Sequence, residues 1–231
     1  MFRRISGFLW VAYGLFSISV CCAQSVKADR VTEFPSFKII HGTTDSDGFP
    51  TSGAKLCLLG SVGNCYQMPS ERPNVSDSLV YEFGLEPRSE QLPLLDGGSF
   101  VFFWSQFSGG GSGTLDRLAI LRYEPDRKII NLLPFVGVTN QSDRAVWQIE
   151  KVSRFPILMT ADFYWMEGET HFADHFYTID AYLFDAEKGR YVRAFSYRTS
   201  KKYPGLDKVD QIHVLGAERA EIMKKLEAPS R

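Results

Sequence analysis

The sequence predicts a mainly β protein of antiparallel sheets, built from repeated hairpin modules in a sandwich or propeller-like arrangement, with a short C-terminal helix. Three observations support this fold class. Aromatic residues make up 14% of the 231 residues, and such residues are enriched in strands because they pack well on a pleated surface. Short apolar or alternating runs are separated by turn residues. Segments of the form strand, polar turn, strand recur at intervals of about 60 residues.

The hairpin segments follow one pattern, in which an apolar strand leads through a polar turn into a second strand. They span residues 56–68, 119–132 and 181–195, and a further predicted strand precedes each of the last two. A strand series ending in a short polar hairpin is typical of a propeller blade, although a propeller usually has at least about four blades. A sandwich is an equally good interpretation, because hairpins of any β protein share this pattern.

The first 23 residues predict a cleavable signal peptide. Arg3 and Arg4 supply a positive start, and the stretch 7–20 is almost free of polar side chains. This run is shorter than the roughly 20 residues that span hydrocarbon as a helix, so we expect cleavage after Ala23 instead of a permanent anchor. Lipidation of a leader cysteine and twin-arginine export are the alternatives. We therefore expect an extracytoplasmic protein, periplasmic or secreted, with no transmembrane segment in its mature chain.

The remaining chain divides into three predicted parts. Residues 24–36 are polar and predict a flexible N-terminal segment, residues 37–214 predict one β-rich domain, and residues 215–231 predict a helix and tail. The clearest alternation runs from Ile157 to Met166 and predicts a strand with one buried face. A short helix over 217–226 is expected to pack on a sheet edge or to form a loosely attached tail. The predicted strands are 37–41, 54–59, 64–68, 79–83, 100–107, 115–123, 128–133, 146–149, 157–166, 176–184 and 190–197.

Cys57 and Cys65 are the cysteines that remain after removal of the leader. Two glycines and an asparagine lie between them and favour a reversing turn, which brings the cysteines opposite each other in a hairpin. Opposed positions of an antiparallel pair lie within disulfide reach. We expect these cysteines to form a disulfide in an oxidising compartment. A redox pair or a metal clip is the alternative.

The segment from Glu167 to His175 is the strongest candidate for chemistry. His171, Asp174 and His175 are predicted metal ligands, because imidazole and carboxylate groups in one loop can converge on a divalent ion. The segment joins two predicted strands and lacks the helical spacing of a zincin motif, so a solvated hairpin loop is the alternative. A hydrolase is a second possibility, with an acid-base pair from distant strands, for instance Asp162 or Glu169 acting with His171 or His175.

Two further segments carry incomplete motifs. Asp45, Asp47 and Gly48 resemble the start of an EF-hand loop, but the glycine is two positions early and Leu56 stands where the final glutamate belongs. The glycine-rich stretch 108–113 leads into a predicted strand and not into the helix that a phosphate loop requires. We interpret both segments as turns or loops.

Exposed aromatic residues are the remaining candidates for a binding surface. Trp104, Trp165 and Tyr197 are predicted to contact a ligand, and the basic residues of segment 198–202 lie close to Tyr197 in sequence. A formal net charge of -1 and a pI near 6.4 argue against nucleic acid as a partner. We recognise no cofactor motif and no complete catalytic set. The expected function is binding of a protein or an envelope polysaccharide, with a hydrolase or a metal-binding domain as the alternative.

Overall fold

The computed structural model shows a mainly β protein with antiparallel sheets and short helices near the C-terminus. The residues that it describes are 31–43, 46, 53–60, 63–67, 85–108, 114–124, 126, 128–133, 137–140, 143–170, 172–205 and 213–228. The strands are β1 (Phe37–Ile40), β2 (Lys55–Leu58), β3 (Cys65–Gln67), β4 (Leu85–Pro93), β5 (Ser99–Ser108), β6 (Thr114–Tyr123), β7 (Ile129–Asn131), β8 (Gly137–Asn140), β9 (Asp143–Trp147), β10 (Ile157–Tyr164), β11 (Phe176–Asp185) and β12 (Arg190–Arg198). The helices are α1 (Val214–Ala217) and α2 (Arg219–Glu227).

The described strands form three sheets, each following the chain as an antiparallel meander. The first sheet has the order β1-β2-β3, the second has the order β4-β5-β6-β7, and the third has the order β12-β11-β10-β9. Strand β8 pairs with β6 and is the fifth strand of the second sheet. The three predicted hairpins are confirmed as β2-β3, β6-β7 and β11-β12. Each hairpin lies at one end of the strand order of its sheet. These hairpins are the modules that recur in the sequence.

Two strands were not predicted from the sequence. Strand β4 is polar and contains two prolines, and β8 is only four residues long, so neither shows a usable apolar alternation. The other described strands match predicted ones, with ends that differ by up to three residues. The predicted strand over 79–83 lies outside the described residues.

The second sheet lies between the other two and is buried on both faces. Alternate residues of β5 and β6 point in opposite directions. One set packs with the first sheet and consists of Val101, Phe103, Ala119 and Leu121. The other set packs with the third sheet and consists of Phe100, Phe102, Leu118 and Ile120. The three sheets therefore stack in chain order.

The third sheet is also covered on both faces. As predicted, Ile157, Met159, Ala161 and Phe163 share one buried face. The expectation of a half-buried strand is wrong, because Leu158 and Thr160 on the opposite face are also buried, at 0% and 5% exposure. Leu158 packs with the second sheet. Burial of the second face depends on a sheet that is distant in sequence, which a local pattern does not reveal.

The helices cover the outer face of the third sheet. Val214 and Leu215 of α1 and Ile222 of α2 are buried among the residues of that face. The Leu215 amide donates to the Asp143 carboxylate at 2.8 Å, which ties α1 to the start of β9. Instead of a loose tail, the C-terminal segment forms a helical layer packed on the sheet. Within the described part of the chain, no helix combines the length and apolar character needed to cross a membrane.

A disulfide joins Cys57 to Cys65, as the sequence predicts. The two residues are direct partners in the β2-β3 register, and their Cα atoms lie 4.0 Å apart. The Leu58 amide donates to the Asn64 carbonyl at 3.0 Å, so the cysteines occupy the adjacent non-hydrogen-bonded position. Positions of this class bring facing side chains closest together. The disulfide therefore closes the first hairpin module.

Candidate functional site

The connection between β10 and β11 presents an unusual set of exposed apolar side chains. Of the seven large apolar side chains that are exposed in the described part of the chain, four lie between residues 164 and 172. They are Tyr164, Trp165, Met166 and Phe172, and the exposed fraction of each residue is between 39% and 49%. Exposed apolar residues that are scattered singly need no explanation, but four exposed within nine consecutive positions mark this connection as the candidate binding surface. We call these four residues the aromatic surface.

The sequence signal for this surface is a run of three large apolar residues, 164–166, directly before a Glu-Gly turn. Successive residues of a strand point to opposite faces, so three in a row cannot all be buried on one side. Trp165 was predicted as a binding residue on composition alone. Met166 and Phe172 were missed, because Met166 ends a predicted strand and Phe172 lies in a predicted loop.

A buried histidine lies beneath the aromatic surface. His175 is 0% exposed, and its ring stacks on Phe163 with centroids 4.2 Å apart. The Trp165 ring meets the His175 ring edge to face, with centroids 4.9 Å apart. The backbone of His175 forms an isolated bridge with Tyr203, with amide to carbonyl distances of 3.1 and 2.8 Å. These contacts hold the base of the connection against the sheet.

Both ring nitrogens of His175 face hydrogen-bond acceptors. Nδ1 lies 3.0 Å from the Glu169 carboxylate, and Nε2 lies 2.8 Å from the Thr170 carbonyl oxygen. A backbone carbonyl oxygen accepts only, so Nε2 must be the donor in that contact. When the ring carries both protons, Nδ1 donates to Glu169 as well. The histidine therefore connects its own strand to two positions in the preceding loop.

The Glu169 carboxylate has two further hydrogen-bond partners besides His175. Its carboxylate accepts hydrogen bonds from the Lys202 ammonium at 2.7 Å and from the Met166 amide at 3.0 Å. The Lys202 hydrogen bond is the largest cause that lowers the Glu169 pKa to about 2, with the Met166 amide and His175 contributing in the same direction. We call Glu169, His175 and Lys202 the loop bracket. It ties the aromatic surface to the segment that follows β12.

Basic side chains lie over the aromatic rings beside this surface. The Arg198 guanidinium carbon lies 4.7 Å from the Tyr164 ring centroid and 5.5 Å from that of Phe176. The Lys202 ammonium, which donates to Glu169, lies 5.5 Å from the Phe176 ring centroid. A cation over a ring face is attracted by the quadrupole of the ring. The predicted basic segment 198–202 therefore does lie next to an aromatic surface.

A groove of about 680 Å³ runs between the end of β12 and α2, and Tyr197 lines it. The Tyr197 hydroxyl donates to the Glu218 carboxylate at 3.0 Å, and the Lys225 ammonium lies 4.8 Å from the Tyr197 ring centroid. The Tyr203 hydroxyl donates to the other oxygen of Glu218. Burial and the Glu218 contact raise the pKa of Tyr197 well above its usual range. Tyr197 thus anchors α2 at the same time as it borders the groove.

Trp104 lies apart from these residues, in β5 of the second sheet. Its half-buried ring is 4.9 Å from the Phe102 centroid, and the Arg144 guanidinium carbon lies 4.9 Å above it. Arg144 also forms an ion pair with the buried Asp116. The structure therefore does not bring the three predicted aromatic residues together. Trp165 belongs to the aromatic surface, Tyr197 borders the groove, and Trp104 supports a contact between the second and third sheets.

The predicted metal ligands are only partly described. His171 lies outside the described residues, and the Asp174 carboxylate accepts a long hydrogen bond of 3.4 Å from the Gly205 amide. The His175 nitrogens are held by Glu169 and Thr170, so metal ligation there requires breaking one of those contacts. Among the described residues, no group of three histidine, cysteine or acidic side chains is placed to hold a metal ion. The metal site stays a prediction.

The predicted hydrolase pair of Glu169 and His175 does lie within hydrogen-bond distance. A general base also needs a second nitrogen directed at the reacting group. In His175 that nitrogen lies against the Thr170 carbonyl, and the ring is fully buried. The pair therefore has the geometry of a loop support, and the hydrolase alternative gains no argument from it.

Comparison with known proteins adds little to this description. A scan against protein-family models finds no match, and a search of curated proteins finds none either. Among solved structures, the crystal structure of CarG is similar to this chain at 15% sequence identity, over 52% of this chain and 87% of that chain, with a TM-score of 0.37.

Proposed function

We propose that this chain is an exported, non-enzymatic β domain that binds a protein partner through the aromatic surface. The single observation that carries the proposal is the exposure of Tyr164, Trp165, Met166 and Phe172 within one loop. Tyrosine, tryptophan and methionine are enriched in protein interfaces, and arginine, present here as Arg198, is enriched with them. This composition favours a protein over a polysaccharide as the partner.

Preorganisation of the loop supports the proposal. A loop that becomes ordered only on binding must lose conformational freedom, and this loss weakens the complex. Here the loop bracket joins Glu169 to His175 and Lys202 at 3.0 and 2.7 Å, and the Phe163 and Trp165 rings pack against His175. These contacts therefore hold the described part of the connection in place before a partner binds.

The proposed location outside the cytoplasm is supported by the disulfide between Cys57 and Cys65, because such bonds persist in oxidising compartments. Mass spectrometry of native material is expected to show an N-terminus after Ala23 and both cysteines oxidised. Retention of Met1 together with free thiols at both positions contradicts export.

The binding proposal is tested with a paired-variant capture experiment. The wild-type protein, the double variant Trp165→Ala/Phe172→Ala, and the control Leu59→Ala/Leu95→Ala are immobilised and exposed to the extracytoplasmic fraction of the source cells. Leu59 and Leu95 are exposed at 54% and 62% but lie outside the aromatic surface. A captured protein is then purified and titrated calorimetrically against all three.

The expected result is a stoichiometric complex with the wild type and the control, and at least about thirtyfold weaker binding by the double variant, since two interface aromatic residues each contribute about 1–2 kcal/mol or more. Equal binding of a purified partner by all three proteins contradicts the proposal. Binding of a cell-envelope polysaccharide in place of a protein, with the same dependence on Trp165, assigns the surface to a polymer instead.

A further inference from the structure

Arg198, the last residue of β12, lies at the border of the aromatic surface. The register pairs Tyr164 with Phe176 and Thr178 with Arg198, which places Tyr164, Phe176 and Arg198 on one face of the third sheet. The guanidinium carbon is 4.7 and 5.5 Å from the two ring centroids, and the residue is exposed. The aromatic rings therefore hold an exposed guanidinium in one place.

The ionic environment of Arg198 differs from that of three other arginines in the strands. Arg122, Arg144 and Arg193 each pair with a carboxylate, namely Glu124, Asp116 and Asp180. Within the described part of the chain, Arg198 contacts ring faces and no carboxylate lies within ion-pair distance of it. Lys202, the neighbouring cation, is already engaged by Glu169 at 2.7 Å.

A guanidinium stacked on aromatic rings retains its hydrogen-bonding capacity. Its N–H donors lie in the plane of the group, so contact with a ring covers the flat side and leaves the in-plane fork free to meet a carboxylate with two parallel hydrogen bonds. The orientation is fixed before binding, which reduces the side-chain freedom that a ligand must restrict. Lys201, exposed three residues further on, adds positive charge nearby.

We propose that Arg198 binds an aspartate or glutamate side chain of an acidic peptide segment in the partner protein, while an adjacent apolar side chain of that segment packs on the aromatic surface. This inference rests on the proposed function and names the chemistry of the partner. Charge complementarity selects the carboxylate, and the exposed Tyr164 ring, which lies against the Arg198 guanidinium, selects its apolar neighbour.

The test is selection of a random peptide display library on the immobilised mature chain. The expected consensus is an acidic residue within a few positions of an aromatic or large aliphatic residue. For a synthetic peptide of that consensus, Arg198→Gln should weaken binding by about tenfold to a hundredfold, the range that loss of a charge-assisted hydrogen bond gives. Arg198→Lys keeps the charge without the fork and should weaken binding less. Arg190→Gln, at the opposite end of β12, is the matched control and should leave the affinity unchanged.

A peptide with the acidic residue replaced by its amide completes a double-mutant cycle. If the two groups meet, the amide peptide binds wild type and Arg198→Gln with nearly equal affinity. The carboxylate inference is overturned by a consensus without acidic residues, or by peptides that bind Arg198→Gln as tightly as wild type while Trp165→Ala/Phe172→Ala abolishes binding. Peptides indifferent to the double variant overturn the proposed function itself, and a selection that enriches no peptide counts against both.

Discussion

The Glu169 carboxylate lies 3.0 Å from Nδ1 of the fully buried His175 ring, and the same carboxylate accepts a hydrogen bond from Lys202 at 2.7 Å. One acidic side chain thus joins the β10–β11 connection to the start of β11 and to the segment after β12. Since Tyr164, Trp165 and Met166 lie three to five residues before Glu169, and the Met166 amide donates to its carboxylate, the position of these side chains depends on this bracket. The bracket therefore determines the acid response of the loop.

Stability should respond to pH through Glu169. Its pKa in the folded protein is lowered from 4.5 to about 2, chiefly by Lys202. Between about pH 4.5 and pH 2, Glu169 is protonated in the unfolded chain but ionised in the folded protein. The stabilisation from this carboxylate is therefore complete above about pH 5 and is lost as the pH falls toward 2. In denaturant unfolding, the stability difference between wild type and Glu169→Gln should shrink over this window. Lys202→Met should also reduce the acid sensitivity, and a difference independent of pH contradicts the assignment.

Two glycines offer a matched test of close packing. A Cβ atom at Gly205 would lie 2.0 Å from the Phe172 carbonyl oxygen, whereas a Cβ at Gly216 in α1 meets nothing within 4 Å. Gly205→Ala should therefore destabilise the protein by about 1–3 kcal/mol through overpacking and move the Phe172 end of the aromatic surface. Gly216→Ala should stabilise it by about 0.5–1 kcal/mol, because alanine favours the helix. Thermal unfolding measures both, and equal effects contradict the packing described here.

The helical layer should contribute to global stability through Ile222, which is 0% exposed in the core between α2 and the third sheet. Ile222→Ala removes buried methyl groups and leaves a cavity, so we expect a loss of about 2–5 kcal/mol in the free energy of unfolding. Lys224→Ala, on the exposed side of the same helix, should change it by no more than about 0.5 kcal/mol. Equal unfolding midpoints for the two variants indicate that α2 is not docked in solution.

The disulfide should stabilise the first hairpin module. Cys57 and Cys65 are eight residues apart in sequence, and closing a loop of this length restricts the unfolded chain by about 2–3 kcal/mol. The double variant Cys57→Ser/Cys65→Ser should lose about this amount in denaturant unfolding, and adding a reductant should lower the stability of wild type but not that of the variant. A variant as stable as the oxidised wild type contradicts this contribution.

Local pattern was enough to predict the hairpin modules, the pairing of Cys57 with Cys65, and the inward face of β10. Each depends on residues close in sequence, since turn chemistry and the two-residue period of a strand are local properties. Burial of Leu158 on the other face of β10 was not predictable in this way, because it requires the second sheet.

The tertiary structure alone decided the roles of the candidate site residues. His175 was a metal candidate by composition, and packing encloses its ring and places a partner in the loop beside each ring nitrogen. Arg198 was one residue of a basic segment, and the strand register places it over Tyr164 and Phe176. The sequence by itself determined most of the strands and the turns between them, but not β4 and β8. Contacts between residues distant along the chain decided which side chains are buried, which are paired, and which remain exposed.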